Sequence, residues 1–427
     1  MSGCLQARAF RGVIAEPSLF RRWQALNDWL LQHRALWQPA PFLVPEPVWT
    51  RLHPELARLV AGLDDARCAQ LAEDVPEMAR LSATCVPGLG RYHELVTVEN
   101  LIPPAPAVDM ATLPETLAAD MPGRKRRQSG VLAAALAPLS APVLDWCCGK
   151  GHLARTLSAL SPEPVLGYEW NPDLVQDGNR LARKYGDPVT LHCQDVMDSA
   201  LELPAGSHVV ALHACGDLHR QLLEKGCAAQ APRLSLSPCC YHRTRMEVFQ
   251  PLSESVAGHE SALNLSRSDL RLVVRETVTA PARVRSNNAL LNQWRLGFDG
   301  LQRQLRGKDE YLSLPSYPVS RKAAGFSGFC QWAAELKGLT LAAETDHDYW
   351  LEYGARRLHQ VRRHELVRHL FRRPLELWLL LDYGLYLQEQ GYRVRLGQFC
   401  DRALTPRNLL IDAVRVSGKP PSPHSHP

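Results

Sequence analysis

Asp145, Cys147, Gly149 and Gly151 lie in the stretch VLDWCCGKGHL, where an apolar strand-like lead breaks into a glycine-rich turn and then resumes as a helical pattern. Such a turn lets backbone N–H groups approach a ligand at a helix start. The flanking residues decide which ligand. A P-loop needs Gly-Lys followed by Ser or Thr, and here Gly149-Lys150-Gly151 is followed by His152. A dinucleotide turn is matched in spacing by Gly149, Gly151 and Ala154, with Glu169 beyond them. Asp145, however, precedes those glycines and would repel a pyrophosphate. The same carboxylate attracts a ligand bearing an ammonium and a sulfonium. Asp145-x-Cys147-x-Gly149-x-Gly151 has the spacing of an S-adenosyl-L-methionine loop with cysteine at the first glycine position. Glu169, followed by Trp170, suits the two ribose hydroxyls. Asp195, followed by Val196, suits the adenine amino group, and His213 and Ala214 end a later strand on the same side.

Only a parallel sheet brings these residues to one edge. From Pro142 the chain alternates PVLDWCC, PVLGYEW, VTLHCQD, HVVALHACGD and RLSLSPCCYH with helical segments, the pattern of buried parallel strands. Near the C-terminus the long apolar helix PLELWLLLDYGLYLQEQG stops at Gly391 and feeds two strands joined by DRALTP. The expected fold is α/β, a seven-stranded, mostly parallel, doubly wound sheet with a C-terminal β-hairpin. Its expected units are an N-terminal helical domain over 1–110, with LIPPAPAVDMATLP as linker; a core over 115–245; a basic insertion over 246–355; a second core segment over 356–416; and a disordered tail over 417–427.

The 427-residue chain shows no apolar run long enough to span a membrane and its first 25 residues hold no uninterrupted apolar stretch, so neither membrane spanning nor secretion is expected. Its 12 cysteines are expected as free thiols in a reducing, cytoplasmic setting. The formal charge is +5, yet residues 265–373 hold 19 Lys and Arg against 11 Asp and Glu, so this segment carries +8. Arg356, Arg357, Arg362, Arg363, Arg372 and Arg373 are dense enough to track phosphate, which points to RNA as partner, with neither membrane nor DNA expected. Arg124–Arg127 is a second basic run, read as a solvated helix start or a phosphate contact.

Where strands one, four and five end side by side, Cys147, Cys148, His213, Cys215, Cys239, Cys240 and His242 converge. Adjacent cysteines on a strand point to opposite sides, and no CxxC knuckle is present. The expectation is no metal and small thiols lining a cofactor pocket. A proton acceptor is sought among Asp217, His219, Tyr241 and His242, with Asp217, His242 and Tyr241 as the catalytic candidates.

DWCCGKGHL, LHACGDLH, SPCCYH, LLLDYGLYLQEQGY and LTPRNLLIDAV, in this order, resemble the methyltransferase-like protein 25 family. They are also similar to the methyltransferase part of glutathione S-transferase C-terminal domain-containing protein. The resemblance implies a Rossmann-like class I methyltransferase that uses S-adenosyl-L-methionine, with Asp145, Gly149, Gly151, Glu169 and Asp195 as cofactor contacts. HACGDLH and the cysteine pair are similar to elements of tRNA acceptor-stem ribose methyltransferases, which implies RNA by analogy. A protein or small-molecule methyltransferase, or a non-catalytic binding module of the same fold, is the alternative.

Overall fold

The computed structural model describes residues 18–275 and 282–416. The expected tail over 417–427 lies outside the described residues.

The apolar runs form the strands β2 (Val143–Trp146), β3 (Val165–Glu169), β4 (Val189–Cys193), β5 (His208–Cys215) and β6 (Arg233–Cys239), all parallel. Near the C-terminus β7 (Tyr392–Gln398) and β8 (Leu409–Arg415) pair antiparallel, and β8 slots between β6 and β7. An eighth strand, β1 (Glu99–Asn100), adds to β7 in parallel. The sheet order is β1-β7-β8-β6-β5-β2-β3-β4. This is the Rossmann-like class I methyltransferase fold, with one more strand than expected. β1 is two exposed polar residues long, so its pairing leaves no alternation in the sequence.

Helices α1 (Leu19–Gln32), α2 (Gly123–Leu136), α3 (His152–Ser158), α4 (Pro172–Tyr185) and α5 (Asp217–Ala228) precede α6 (Ala282–Arg306), α7 (Gly325–Lys337), α8 (His347–His369) and α9 (Arg372–Glu389). Helix α1 starts where the Ser18 hydroxyl accepts from Arg21 N–H, and it buries Trp23, Leu26, Trp29 and Leu30 as their spacing predicts. These side chains meet α9, which is buried almost all round. Trp23 lies 5.7 Å from Trp378, and Asn27 Oδ1 accepts from both Trp378 Nε1 and Leu263 N–H. The N-terminal helices, residues 249–273, α9 and one face of the sheet thus share one core. Helices α6, α7 and α8 enclose a separate cluster around Trp294, Phe298, Phe329 and Trp350.

The proline-rich stretch 101–114, expected as a linker, carries the helix Ala105–Ala111 with proline in its first turn. Proline fits there because its missing N–H would have no intrahelical partner.

At the amino ends of β5 and β6 the polar groups are paired. Arg233 donates to both oxygens of Asp412, at 2.8 and 3.0 Å, and to the Leu136 carbonyl. Ser235 Oγ donates to Asp412 at 2.7 Å, so His208 Nε2 donates to Ser235 at 2.8 Å. Burial and the nearby Arg233 push His208 down to about 3 and keep it neutral.

Candidate active site

The carboxyl edge is built differently. β2 ends at Trp146, and Cys147, Gly149 and Gly151 follow with φ of 58°, 59° and 69°. A left-handed backbone is free for glycine and costly for cysteine, so the first glycine position is occupied under strain. A Cβ on Gly149 would meet nothing within 4 Å, which leaves open space above the turn. Gly151 caps α3, and Ala154 N–H in its first turn donates to Asp145 Oδ2 at 3.0 Å. Glu169, at the end of β3, accepts from Gly149 N–H at 3.0 Å through Oε2 and from Asn171 N–H at 3.1 Å through Oε1. Each oxygen keeps a lone pair for a further donor.

Asp145 is buried, with no basic side chain paired to it among the described residues. Burial raises its carboxyl to about 8, its bond from Ala154 opposes this, and the nearby Glu169 charge adds to the rise. Two acidic groups and an open, glycine-floored cradle fit a cationic ligand. The same environment pushes the Cys147 thiol up to about 12. At the next strand, Asp195 is exposed and accepts from Met197 N–H, while Val196 is buried. Trp170 is exposed.

Acceptor candidates gather at the ends of β5 and β6. The β5–β6 register shifts between Leu212 and Cys215, and His213 inside this bulge has φ of 65°. Cys240, just past β6, has φ of 44°. Gly216 must be glycine, because a Cβ there would stand 1.7 Å from the Arg243 carbonyl oxygen. The 240–245 loop crosses at this point and is tied down by Arg245 N–H, which donates to Asp217 Oδ2 at 2.9 Å. Asp217 Oδ1 and the Nδ1 atoms of His213 and His242 are buried and find no partner among the described residues. Burial lowers His213 to about 4 and lowers His242, so both rings stay neutral near pH 7.

Two candidates are placed otherwise than expected. His219 is fully enclosed: its Nδ1 donates to the Ala214 carbonyl at 3.2 Å, and its Nε2 accepts from Tyr383 O–H at 3.0 Å. Both ring nitrogens are used by the core. Tyr241 is 3% exposed and packs edge-on against His219, and burial raises its phenol well above its ordinary value. A phenol so buried meets no substrate in this state. The strand-end alternation argument also fails at Cys239 and Cys240. The left-handed turn at Cys240 brings both sulfurs to one side, within 4.8 Å of each other and of Cys215 Sγ.

The basic segment is largely consumed by the fold. Arg357 donates to the carbonyls of Pro41 and Pro45, Arg363 to that of Leu63, Arg368 to that of Trp37 and Arg372 to that of Arg275. Arg356 pairs with Glu352 and Arg373 with Glu376. Arg124 and Arg126 donate to the carbonyls of Leu404 and Leu113. The carbonyl-bound guanidinium groups tie helices and loops together, while the two ion pairs lie within α8 and α9, so charge density here reports packing first. Sequence reasoning overlooked Arg402 and Arg407. With His369, Arg372 and Arg373 they line a cavity of about 400 Å³ beside Gln398 and Asn408, where β7 ends and β8 begins. Arg407 follows proline in the quoted LTPRN, a turn and not a helical charge run, and so gave no signal.

Residues 131–247, which hold β2 to β6 and their loops, match a protein-family profile described as "Methyltransferase domain". This is an S-adenosyl-L-methionine-dependent methyltransferase domain. The chain is also similar to solved structures. One is a tRNA (uracil-54, C5)-methyltransferase from Pyrococcus abyssi in complex with S-adenosyl-L-homocysteine, at 14% identity and a TM-score of 0.23 over 27% of this chain and 29% of that one. Another is magnesium protoporphyrin IX methyltransferase from Synechocystis PCC 6803, at 12% identity and 0.29 over 69% of this chain and 84% of that one. A third is the YcgJ protein from Bacillus subtilis, at 12% identity and 0.25 over 68% of this chain and 98% of that one. The chain spans less than a third of the Pyrococcus enzyme. At these scores the domain assignment rests on the matched segment and on the sheet order.

Proposed function

We propose that the chain methylates RNA and that it is a member of the methyltransferase-like protein 25 family working in the cytoplasm. The observation that carries the RNA reading is the cavity of about 400 Å³ at the carboxyl edge, lined by Arg402, Arg407 and His369 together with Arg372, which also holds the Arg275 carbonyl, and the Arg373–Glu376 pair. Arg407 also acts electrostatically on His213, Tyr241 and His242, which ties the cavity to the acceptor ends of β5 and β6. A phosphate held there would set the neighbouring nucleotide against those strand ends.

In this reading Glu169 accepts from the ribose hydroxyls, Asp145 balances the cationic end of the cofactor, and Gly149 and Gly151 let it approach. Cys147 lies in the same turn. Asp195, Val196 and Trp170 border the base, and His213 and Ala214 close the pocket at β5. The bound cofactor supplies an already activated methyl group, so the protein's work is alignment and exclusion of water. His242, neutral near pH 7 and half-buried, takes the proton of a hydroxyl or amine acceptor. Asp217 holds the 240–245 loop that carries His242.

The cavity is also of a size that suits a small molecule, so a small anionic acceptor is the second reading. Incubation with labelled methyl donor and fractionated RNA, protein and metabolites from the source cell tests the proposal. Label in RNA, reduced by Arg407→Ala chiefly through KM, is expected. Label in protein alone, or in small molecules alone, would overturn it.

A further inference from the structure

We propose that Cys215, Cys239 and Cys240 form a metal site that takes one soft divalent ion, zinc by preference, at the carboxyl ends of β5 and β6. Cys215 Sγ and Cys239 Sγ are 3.2 Å apart, and all three sulfurs lie within 4.8 Å of one another. Around a tetrahedral zinc with Zn–S near 2.3 Å, thiolate sulfurs stand about 3.8 Å apart, so the cluster is within roughly an ångström of ligand spacing.

The backbone is bent to produce this arrangement. The bulge at Leu212–Cys215, the left-handed His213 and the left-handed Cys240 turn three sulfurs from two parallel strands toward one point. Thiols that merely filled space would need none of these departures. The fourth position falls to an imidazole. His213, inside the bulge between Leu212 and Cys215, has a buried Nδ1 without a partner among the described residues and supplies it, which leaves His242 to the acceptor. Three thiols and an imidazole are a donor set that zinc prefers over magnesium or calcium. Cys215 and Cys240 are half-buried, so an ion can reach the site. On binding, the three S–H bonds give way to three metal–sulfur bonds and three protons pass to solvent. A disulfide between Cys215 and Cys239 is the competing use of the same atoms, but it would leave Cys240 and the His213 imidazole unexplained.

This site does not depend on which substrate is methylated. The test uses the full-length protein purified under reducing conditions, with metal content measured by mass spectrometry and the metal-stripped protein titrated with cobalt(II). About one equivalent of zinc, and a thiolate-to-cobalt charge-transfer band, are expected. Cys239→Ser and Cys240→Ser should each lose the metal and the band, while Cys227→Ser, on α5, should keep both. Calorimetric binding of S-adenosyl-L-methionine to the same variants shows that they are folded. Less than about a tenth of an equivalent of metal with no cobalt band, or a Cys215–Cys239 disulfide in metal-free protein, would overturn the proposal.

Discussion

The two ends of β5 and β6 are built on opposite principles. At the amino ends, Arg233, Asp412, Ser235 and His208 form one chain of hydrogen bonds on regular backbone. At the carboxyl ends the strands bulge, and Asp217, His213 and His242 each keep a buried polar atom without a partner among the described residues. Of the four non-glycine residues with positive φ among those described, Cys147, His213 and Cys240 sit at the ends of β2, β5 and β6, which are neighbours in the sheet. Strain and unmet hydrogen-bonding capacity cost free energy, and a fold keeps them where something else is gained. One end of these strands therefore holds the sheet together, while the other carries the strain and open hydrogen-bonding capacity that the proposed ligand site would use.

The largest effect should come from breaking the holding end. Asp412→Ala leaves the Arg233 guanidinium beside the buried Ser235 and His208 without its counter-charge, and is expected to cost about 3–5 kcal/mol of stability. Chemical denaturation measures it. The protein that remains folded should bind S-adenosyl-L-methionine as the parent does, because Asp412 stands at the far end of the strands. A matching loss of affinity would erase the distinction between the ends.

Glu169→Ala should do the reverse. In the role proposed for Glu169 it accepts two charge-assisted hydrogen bonds from a ribose, and losing them at about 1.5 kcal/mol each predicts roughly 100-fold weaker cofactor binding by calorimetry. Stability should fall less than in Asp412→Ala, since Gly149 and Asn171 N–H can turn to water at a half-open turn.

The next effect is a pH dependence. The Asp145 carboxyl is raised to about 8 from an ordinary 3.8. The folded protein therefore keeps a proton that the unfolded chain loses, and this group opposes folding increasingly as pH rises between those two values. A cationic cofactor favours the carboxylate, so binding should release a proton below pH 8. Affinity should rise with pH by at most about tenfold per unit and level off above pH 8. Asp145→Asn should flatten that profile. Calorimetry in buffers of different ionisation enthalpy counts the proton, and an affinity that falls as pH rises would contradict the role given to Asp145.

What could be read in the sequence follows the same division. The parallel core was legible because five apolar runs alternate with helices, and the left-handed turn after β2, with Asp145 before it and Glu169 against it, because those residues have fixed spacings along the chain. Strand β1 was not legible, since two exposed polar residues pair only because β7 offers a free edge. The thiol cluster was misread because alternation holds only inside a strand, and Cys240 has already left it with φ of 44°. The arginines misled for a related reason. Charge is visible in sequence, but the carbonyls of Pro41, Leu63 and Trp37 that bind Arg357, Arg363 and Arg368 lie about 300 residues away in the chain.

Cys147 gives the smallest and most discriminating effect. Its left-handed backbone is strained for a residue with a Cβ, and glycine relieves that strain by about 1 kcal/mol, partly offset by glycine's greater freedom in the unfolded chain. Cys147→Gly should therefore leave the melting temperature unchanged or slightly raised, whereas Cys147→Val, β-branched at the same φ, should lower it. Gln230→Gly offers the control, because Gln230 has φ of 53° after α5 and lies outside the cofactor turn. If both glycine variants gain stability equally and Cys147→Gly binds S-adenosyl-L-methionine as tightly as the parent, the strain at Cys147 is incidental to binding. If Cys147→Gly gains stability but loses affinity, the sulfur or the fixed turn acts on the cofactor, and the strain belongs to the ligand-holding edge.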